Sequence, residues 1–519
     1  MLRGGYSFCP SHLLPSACAS HACKEDITML GTTVGLATLI IVGVAFLILG
    51  IARIGRRRQS VEDYTISRNH APTNVGIATL VASMFGTWVL MSPGETGANF
   101  GIVSLIGYAL GMAGIPVMFM FVGPRIRQLM PNGHSVTEYV RHRFGAVPFV
   151  SIAIVIIFVM GIFIAAEMTA ITNAVSILTG IPKWTTALGV GIVVVIYTAY
   201  GGLRASIFTD TIQFWVLMPA LLLIVVVAAV LIGDSGAWGK AGETGLLSFG
   251  SSGSYYFAIV LIIGIVASNA FHPGMWQRVY TVKDQQALNR SLWTAAAISI
   301  PITFLMGLAG IAAVSNGSVG PFQYPEVAAA LFALGSDIFP IWMHFLMLIC
   351  ALLLAMSTLD TLMNGLASNV ATDLADTHIS TEGNALMWIA RSITVIVAIP
   401  SIFIASQFSS VLYVFLVADL LGAAIAVPML IGLYSRRMSG WGVIVAGGVG
   451  IVVGALYYPM PDLVSPMILA APFGTQMFFA FASALVVSAV ISVVVILLRQ
   501  PAQDYNFARL SEEVELIEG

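Results

Sequence analysis

The stretch Ala355-Met356-Ser357-Thr358-Leu359-Asp360-Thr361-Leu362-Met363-Asn364 sets hydroxyls, a carboxylate and an amide inside an otherwise apolar run. At membrane depth such side chains are costly unless they face a bundle interior, a water-filled cavity or a bound ion. A lone Ser or Thr more often bonds back to its own helix or joins two helices. Here the polar groups come together, which favours a site.

The rest of the chain supplies the membrane. Only 9% of its 519 residues are charged and the mean hydropathy is +0.95, more apolar surface than one soluble core can hide. The sequence reads as an all-α polytopic membrane protein. With a yardstick of roughly 20 residues per crossing there are about thirteen spans. They lie near 33–54, 75–97, 100–123, 147–178, 183–202, 208–232, 254–275, 291–314, 336–371, 385–406, 408–433, 441–458 and 473–498. A net charge of −2, with Lys and Arg scattered between apolar runs, excludes nucleic acid as a partner.

Basic residues set the expected orientation. Arg53, Arg56, Arg57, Arg58 and Arg68 follow the first span, Arg125, Arg127, Arg141 and Arg143 the third, Arg204 the fifth, and Arg278, Lys283 and Arg290 the seventh. Arg436 and Arg437 follow the eleventh and Arg499 the last. The opposite side has little beyond Arg3, Lys24, Lys183 and Lys240, so the N-terminus is expected outside and the C-terminus in the cytoplasm of a cell-membrane protein. Residues 1–32 read as an extracellular tail, 33–498 as the transmembrane unit and 499–519 as a cytoplasmic tail. The tail has no apolar signal-peptide core, and residues 1–28 read as a disordered extension ahead of a second candidate initiator, Met29. Cys9, Cys18 and Cys23 lie in that tail and Cys350 in a span. There is no phosphate-binding GxxxxGK[ST] loop and no run long enough for a fused soluble engine, so transport would draw on an ion gradient rather than ATP.

Two spans carry helix breakers. The second contains Gly86, Pro93 and Gly94, and the seventh reads Ala267-Ser268-Asn269-Ala270-Phe271-His272-Pro273-Gly274-Met275-Trp276-Gln277-Arg278. Interrupted helices five spans apart point to an inverted-repeat transporter with its site near the midplane. A third signal is Tyr197-Thr198-Ala199-Tyr200-Gly201-Gly202-Leu203-Arg204-Ala205-Ser206-Ile207-Phe208-Thr209-Asp210-Thr211-Ile212-Gln213, where the glycines permit a tight turn and Asp210 either caps the next helix or handles an ion.

With these blocks in place, the chain resembles the sodium:solute symporter family, which includes proline, glucose, iodide, monocarboxylate and urea/polyamine carriers. The resemblance covers roughly residues 33–498 and rests on YTAYGGLRASIFTDTIQ, WQRVYTVKD and MSTLDTLMNGLASNVATDL in family order and spacing. The stretch 131–145, PNGHSVTEYVRHRFG, resembles the family's cytoplasmic loop and leans toward the urea/polyamine branch. The resemblance implies the leucine-transporter fold, with spans 2–6 and 7–11 as inverted five-helix repeats. It also implies a sodium site made by the backbone carbonyls of Val81, Met84 and Leu354 and the hydroxyls of Ser357 and Thr358. The residues agree, since 354, 357 and 358 share a helical face and a hard cation wants several oxygens. Some members hold a further cation closer to the cytoplasm, at positions that here are Asp210, Ser357, Asp360 and Thr361. Asp360 departs from relatives with a small polar residue there. It binds a second sodium with Asp210, carries a proton, or pairs with a neighbouring Arg or backbone.

Solute contacts are expected around the breaks, from Ser83, Trp88 and Met91 on one side and Ser268, Asn269, His272 and Trp276 on the other, with Glu95 either among them or at the outer mouth. Aromatic faces suit an apolar or cationic solute, amides and hydroxyls a polar one. The expected function is sodium-coupled symport of a small organic solute by alternating access, with sodium as coupling ion and no enzymatic activity. The alternatives are a solute sensor on the same fold, a proton-coupled carrier and a passive channel. The channel would be expected to show an uninterrupted polar stripe.

Overall fold

The computed structural model describes residues 29–54, 61–376, 383–405, 407–459 and 472–514. The expectations for residues 1–28, including Cys9, Cys18 and Cys23, lie outside the described residues. Among those described there is no strand, only one isolated parallel bridge between Ala71 and Val282. The principal helices are α1 (Thr32–Ile54), α2 (Thr73–Met84), α3 (Ser92–Leu129), α4 (Ala146–Thr179), α5 (Lys183–Asp234), α6 (Ser252–Asn269) and α7 (Pro273–Thr281). They continue with α8 (Gln285–Asn316), α9 (Ile341–Asp376), α10 (Gly383–Ala405), α11 (Val411–Ile431), α12 (Gly440–Tyr457) and α13 (Phe473–Leu498).

Ten of the described helices are long and apolar enough to cross a membrane. Gly202 divides α5 into two helical passes, and Thr73–Met84 and Arg391–Ala405 are shorter apolar helices. The division of α5 is physical. Gly202 has φ 58°, and a Cβ there would sit 2.5 Å from the ring of Tyr64, so the backbone turn and the close ring both require glycine. Gly101, at φ 75°, kinks α3 in the same way. Asp210 stands well inside α5 beyond the Gly202 kink and bonds to side chains of other helices, so it does not cap the helix.

Both expected interruptions are present. After Met84 the chain is extended through Phe85 and Gly86, makes a 3₁₀ turn at Thr87–Leu90, and restarts at Ser92 with Pro93 in the first turn, where its missing N–H costs nothing. The second helix pair, α6 and α7, is separated by Ala270–His272, with Pro273 again at the restart. The buried face of α9 runs through nearly its whole length and lies against α2, α4, α5 and α7, which makes it the central post.

The arginine-rich face is knitted together by charge. Arg68 donates to Glu62 Oε1 at 2.9 Å and to the carbonyls of Pro131, Asn132 and Gly133. His134 bridges Glu62 Oε2 at 2.6 Å through Nε2 and Glu138 Oε1 at 3.1 Å through Nδ1. Arg143, buried, caps the end of α11 by donating to the carbonyls of Gly432, Ser435 and Met438, and its guanidinium lies 4.3 Å from the ring centre of Tyr505. Residues 505–514 are thereby docked, with Leu510 and Val514 buried.

Burial by itself lowers the His134 pKa, but the bonds to Glu138 and Glu62 and their negative charge outweigh it and hold it at about 9. Burial raises Glu62, yet His134 and Arg68 bring it below its ordinary value of 4.5. A raised histidine pKa stabilises the folded chain fully below the unfolded value of 6.5, and that contribution is lost as pH rises through about 9. The Glu62 contribution is present above 4.5 and lost as the medium is acidified. Thermal unfolding in detergent should therefore show a fall in Tm between pH 7 and 10 that is smaller in His134→Gln, the histidine term amounting to ~3 kcal/mol at most. Parallel pH curves for the two proteins would show that the bridge does not contribute.

Candidate functional site

The C-terminal end of α2 is where the backbone runs out of partners, because the last four carbonyls of a helix have no intrahelical donor. Two hydroxyls of α9 point there. Thr358 donates to the Phe85 carbonyl at 3.0 Å, and the Ser357 oxygen lies 3.3 Å from the Ala82 carbonyl while donating to Asp210 Oδ1 at 2.7 Å. The carbonyls touched belong to residues one step beyond the expected Val81 and Met84, in the same last turn. Val81 accepts from the Phe85 N–H, and the carbonyl of Leu353, beside Leu354, accepts from Gln213. The arrangement gathers hydroxyl and carbonyl oxygens with no nitrogen-bearing metal ligands, which suits a hard monovalent cation. Among the described residues no cluster of His, Cys, Asp and Glu has the makings of a transition-metal site.

Below this lies a buried cation. Arg278 on α7 donates to Asp210 Oδ2, Thr361 Oγ1 and Thr79 Oγ1, each at 2.9 Å, and to the Gly274 carbonyl at 3.0 Å. Neither Arg278 nor Asp210 has solvent-exposed side-chain surface. The guanidinium therefore donates to the oxygens of Asp210 and Thr361 that a further cation would use. Asp360 takes one bond from Thr198 at 2.8 Å and keeps Oδ2 unpartnered. Arginine's planar fork serves four acceptors at once, which a lysine cannot do.

Above the cation layer is a cavity of about 60 Å³, room for a few waters. Of the expected solute residues, Ser83, Trp88, Asn269 and His272 line it, together with Met84 and Thr358 from the expected sodium set. Met91, Ser268 and Trp276 do not. Trp276 donates its indole N–H to the Ala270 carbonyl at 2.8 Å and packs on Phe119 and Tyr139, so it braces the break from behind. Ser268 reaches the site indirectly, through Asp419 Oδ1 at 2.5 Å. Glu95 lies outside the lining, accepting from Tyr324 at 2.7 Å and Ser410 at 2.6 Å.

Aromatic rings and two carboxylates complete the walls. Trp88 stacks between Phe85 and Tyr108, with ring centres 6.1 and 5.9 Å away, and Phe415 meets both Trp88 and Phe163 edge-on. Glu167 of α4 accepts the Thr87 N–H at 2.5 Å and so caps the 3₁₀ turn; a Cβ at Gly86 would lie 2.3 Å from Glu167 Oε2, so glycine is needed for the carboxylate to come this close. Asp419 of α11 is the second acid, and no Lys or Arg lines the cavity. Both acids stand mid-span in the sequence, where an ionisable residue is itself a signal of function. The sequence reading of the two breaks passed them over.

The sodium:solute symporter family model matches residues 64–450. The chain is 28% identical to the spermidine transporter DUR31 of Candida albicans over 413 residues, which covers 76% of this chain and 74% of that one. It is 23% identical over 473 residues to the sodium/glucose cotransporter of Vibrio parahaemolyticus, covering 83% and 84%. The solved substrate-bound, outward-open structure of a Na+-coupled sialic acid symporter superposes with a TM-score of 0.70 at 20% identity, covering 90% of this chain and 98% of that one. This likeness gives the leucine-transporter-type fold.

Removing one member of the buried ion pair should be costly. Arg278→Gln leaves Asp210 charged and unmatched, and is expected to destabilise the protein by about 3–5 kcal/mol, with Arg278→Gln/Asp210→Asn recovering much of the loss. Thermal unfolding of the purified variants measures it. Equal Tm for wild type and the single variant would remove the pair from the account.

Proposed function

We propose that this chain, which belongs to the sodium:solute symporter family, carries a small organic cation into the cell together with sodium. The family makes it a multi-pass, sodium-coupled carrier of small solutes; the class of solute is the new element. It rests on one observation above all, that two buried carboxylates, Glu167 and Asp419, face one aromatic-walled cavity with no Lys or Arg among its lining residues. Charges buried without partners are expensive, and a bound cation supplies what the protein does not. Trp88, Tyr108, Phe163 and Phe415 present ring faces and edges that suit an ammonium group and the methylenes beside it. The likeness to a spermidine transporter supports the same reading.

Sodium in this proposal sits between the last turn of α2 and α9, held by the carbonyls of Val81, Met84 and Leu354 and the hydroxyls of Ser357 and Thr358. It replaces the hydrogens by which those hydroxyls reach α2 carbonyls and so tightens the α2–α9 contact. The arginine-rich face is the cytoplasmic one, in the cell membrane, with the N-terminus outside. The protein acts as carrier and not as enzyme. Energetically, one charge moving through 100 mV yields about 2.3 kcal/mol, and a tenfold sodium gradient adds about 1.4 kcal/mol. Together these support accumulation of several hundredfold for a neutral solute, and a cationic solute adds its own charge to the drive.

Proteoliposomes with an imposed inward sodium gradient test this directly. Uptake of radiolabelled spermidine is expected, inhibited by other alkylamines and unaffected by proline, glucose or urea. Sodium-driven uptake of a neutral solute that amines do not inhibit would overturn the cation reading. Ser357→Ala/Thr358→Ala should lower sodium-stimulated uptake at least tenfold at unchanged protein content; undiminished sodium activation would place the ion elsewhere.

A further inference from the structure

We propose that the solute carries two separated ammonium groups, one held by Asp419 and the other by Glu167, and that Glu167 is the group through which bound solute acts on sodium. The proposal rests on the cation reading above and deepens it. The two carboxylates come from different helices, α11 and α4, and are differently prepared. Asp419 receives one hydrogen bond, from Ser268 at the end of α6. Gly422, one turn further along α11, lies against the Ser268 backbone so closely that a Cβ there would meet its Cα at 2.4 Å, which fixes the distance between the two helices. Glu167 uses Oε1 to cap the Thr87 N–H and leaves Oε2 buried without a partner.

The charge balance selects two positive groups. The titratable and charged residues facing the cavity are Glu167, Asp419, His272 and Tyr108. Arg278, the nearest buried guanidinium on the adjoining helix, is already shared among Asp210, Thr361 and Thr79. A monoamine matches one of the two carboxylates and leaves the other as a buried charge or as an acid that must take a proton. A diamine matches both, with its methylenes along Trp88 and Phe415, once the cavity widens beyond the about 60 Å³ of this form.

The second half of the proposal follows from what Glu167 holds. Residues 85–87 are gripped from two sides: Phe85 O by Thr358 and Thr87 Oγ1 by the Ala351 carbonyl, both on α9, and Thr87 N by Glu167 on α4. An ammonium on Oε2 draws on the same carboxylate that caps this turn, and the turn begins three residues after Met84, the last of the expected sodium ligands of α2. Solute at Glu167 is thus linked through the Thr87 N–H and residues 85–86 to the last turn of α2, whereas Asp419 is tied to Ser268 at the end of α6. Binding linkage then requires sodium and solute to strengthen each other equally.

The test compares 1,4-diaminobutane, spermidine and 1-aminobutane in proteoliposomes of wild type, Asp419→Asn, Glu167→Gln and Glu167→Asp, with sodium affinity read separately from sodium-dependent thermal shifts of the purified protein. In wild type the diamine is expected to compete at least tenfold more strongly than the monoamine. Each neutralising variant should reduce that preference to threefold or less. Saturating diamine should tighten sodium binding at least fivefold in wild type and in Asp419→Asn, but less than twofold in Glu167→Gln, with Glu167→Asp restoring part of the effect. Equal competition by diamine and monoamine in wild type, or a diamine preference that survives both neutralisations, overturns the two-point site while leaving the cation reading intact. Sodium-driven uptake of a neutral solute insensitive to every amine overturns both. If Glu167→Gln fails to fold, Asp419→Asn alone decides the two-point site and Glu167→Asp the linkage.

Discussion

The structure depends on how backbone exposed inside a membrane finds partners. Lipid supplies no hydrogen bonds, so a helix interrupted at the midplane survives only where protein groups or a cavity meet the freed N–H and C=O groups. At the first break the freed carbonyls of α2 meet Thr358 and Ser357, and the freed N–H of Thr87 meets Glu167. At the second, Trp276 donates to Ala270, and Asn269 bonds back to Ile265 at 2.8 Å. At the first break these partners lie on α9 and α4, helices that a transport cycle must be able to move against the broken one. The groups that make the fold tolerable are therefore the groups that can feel a bound ion.

The same economy explains the layering. Arg278 and Asp210 form a buried pair on the side of the site nearest the arginine-rich face, and this pair is costly to break from either end. Above it the carboxylates Glu167 and Asp419 have no lining cation to match. The lower layer carries its own guanidinium, matched to Asp210; the next is complete only with something brought in. On the outer side, Glu95 accepts from Tyr324 and Ser410 through Oε1 and keeps Oε2 unpartnered. An acidic cavity with no Lys or Arg in its lining is a place for positive charge in transit.

Much of this was legible from the chain. The breaks follow from Gly86, Pro93 and Pro273, whose local chemistry acts the same way in any context, and the apolar runs set the helical class. The face formed by Leu354, Ser357 and Thr358 followed from helical period. What the sequence did not disclose is contact between distant elements. Trp276 looked like a solute residue because it is aromatic and near a break, but only the packing of Phe119 and Tyr139 shows that it faces away. Asp210 looked equally like a cap or an ion ligand, and its partner Arg278 is 68 residues further on. Glu167 and Asp419 are single acids in long apolar helices with no motif around them, and only their convergence on one cavity gives them a joint meaning.

The most direct test of coupled cation transport is the reversal potential of the current evoked by spermidine in proteoliposomes as the sodium gradient is varied at a fixed amine gradient. If sodium and an organic cation cross together, the current is inward at negative potential and its reversal potential moves to more positive values with each increase in the outside-to-inside sodium ratio. A reversal potential that follows the amine gradient alone, indifferent to sodium, would contradict the account.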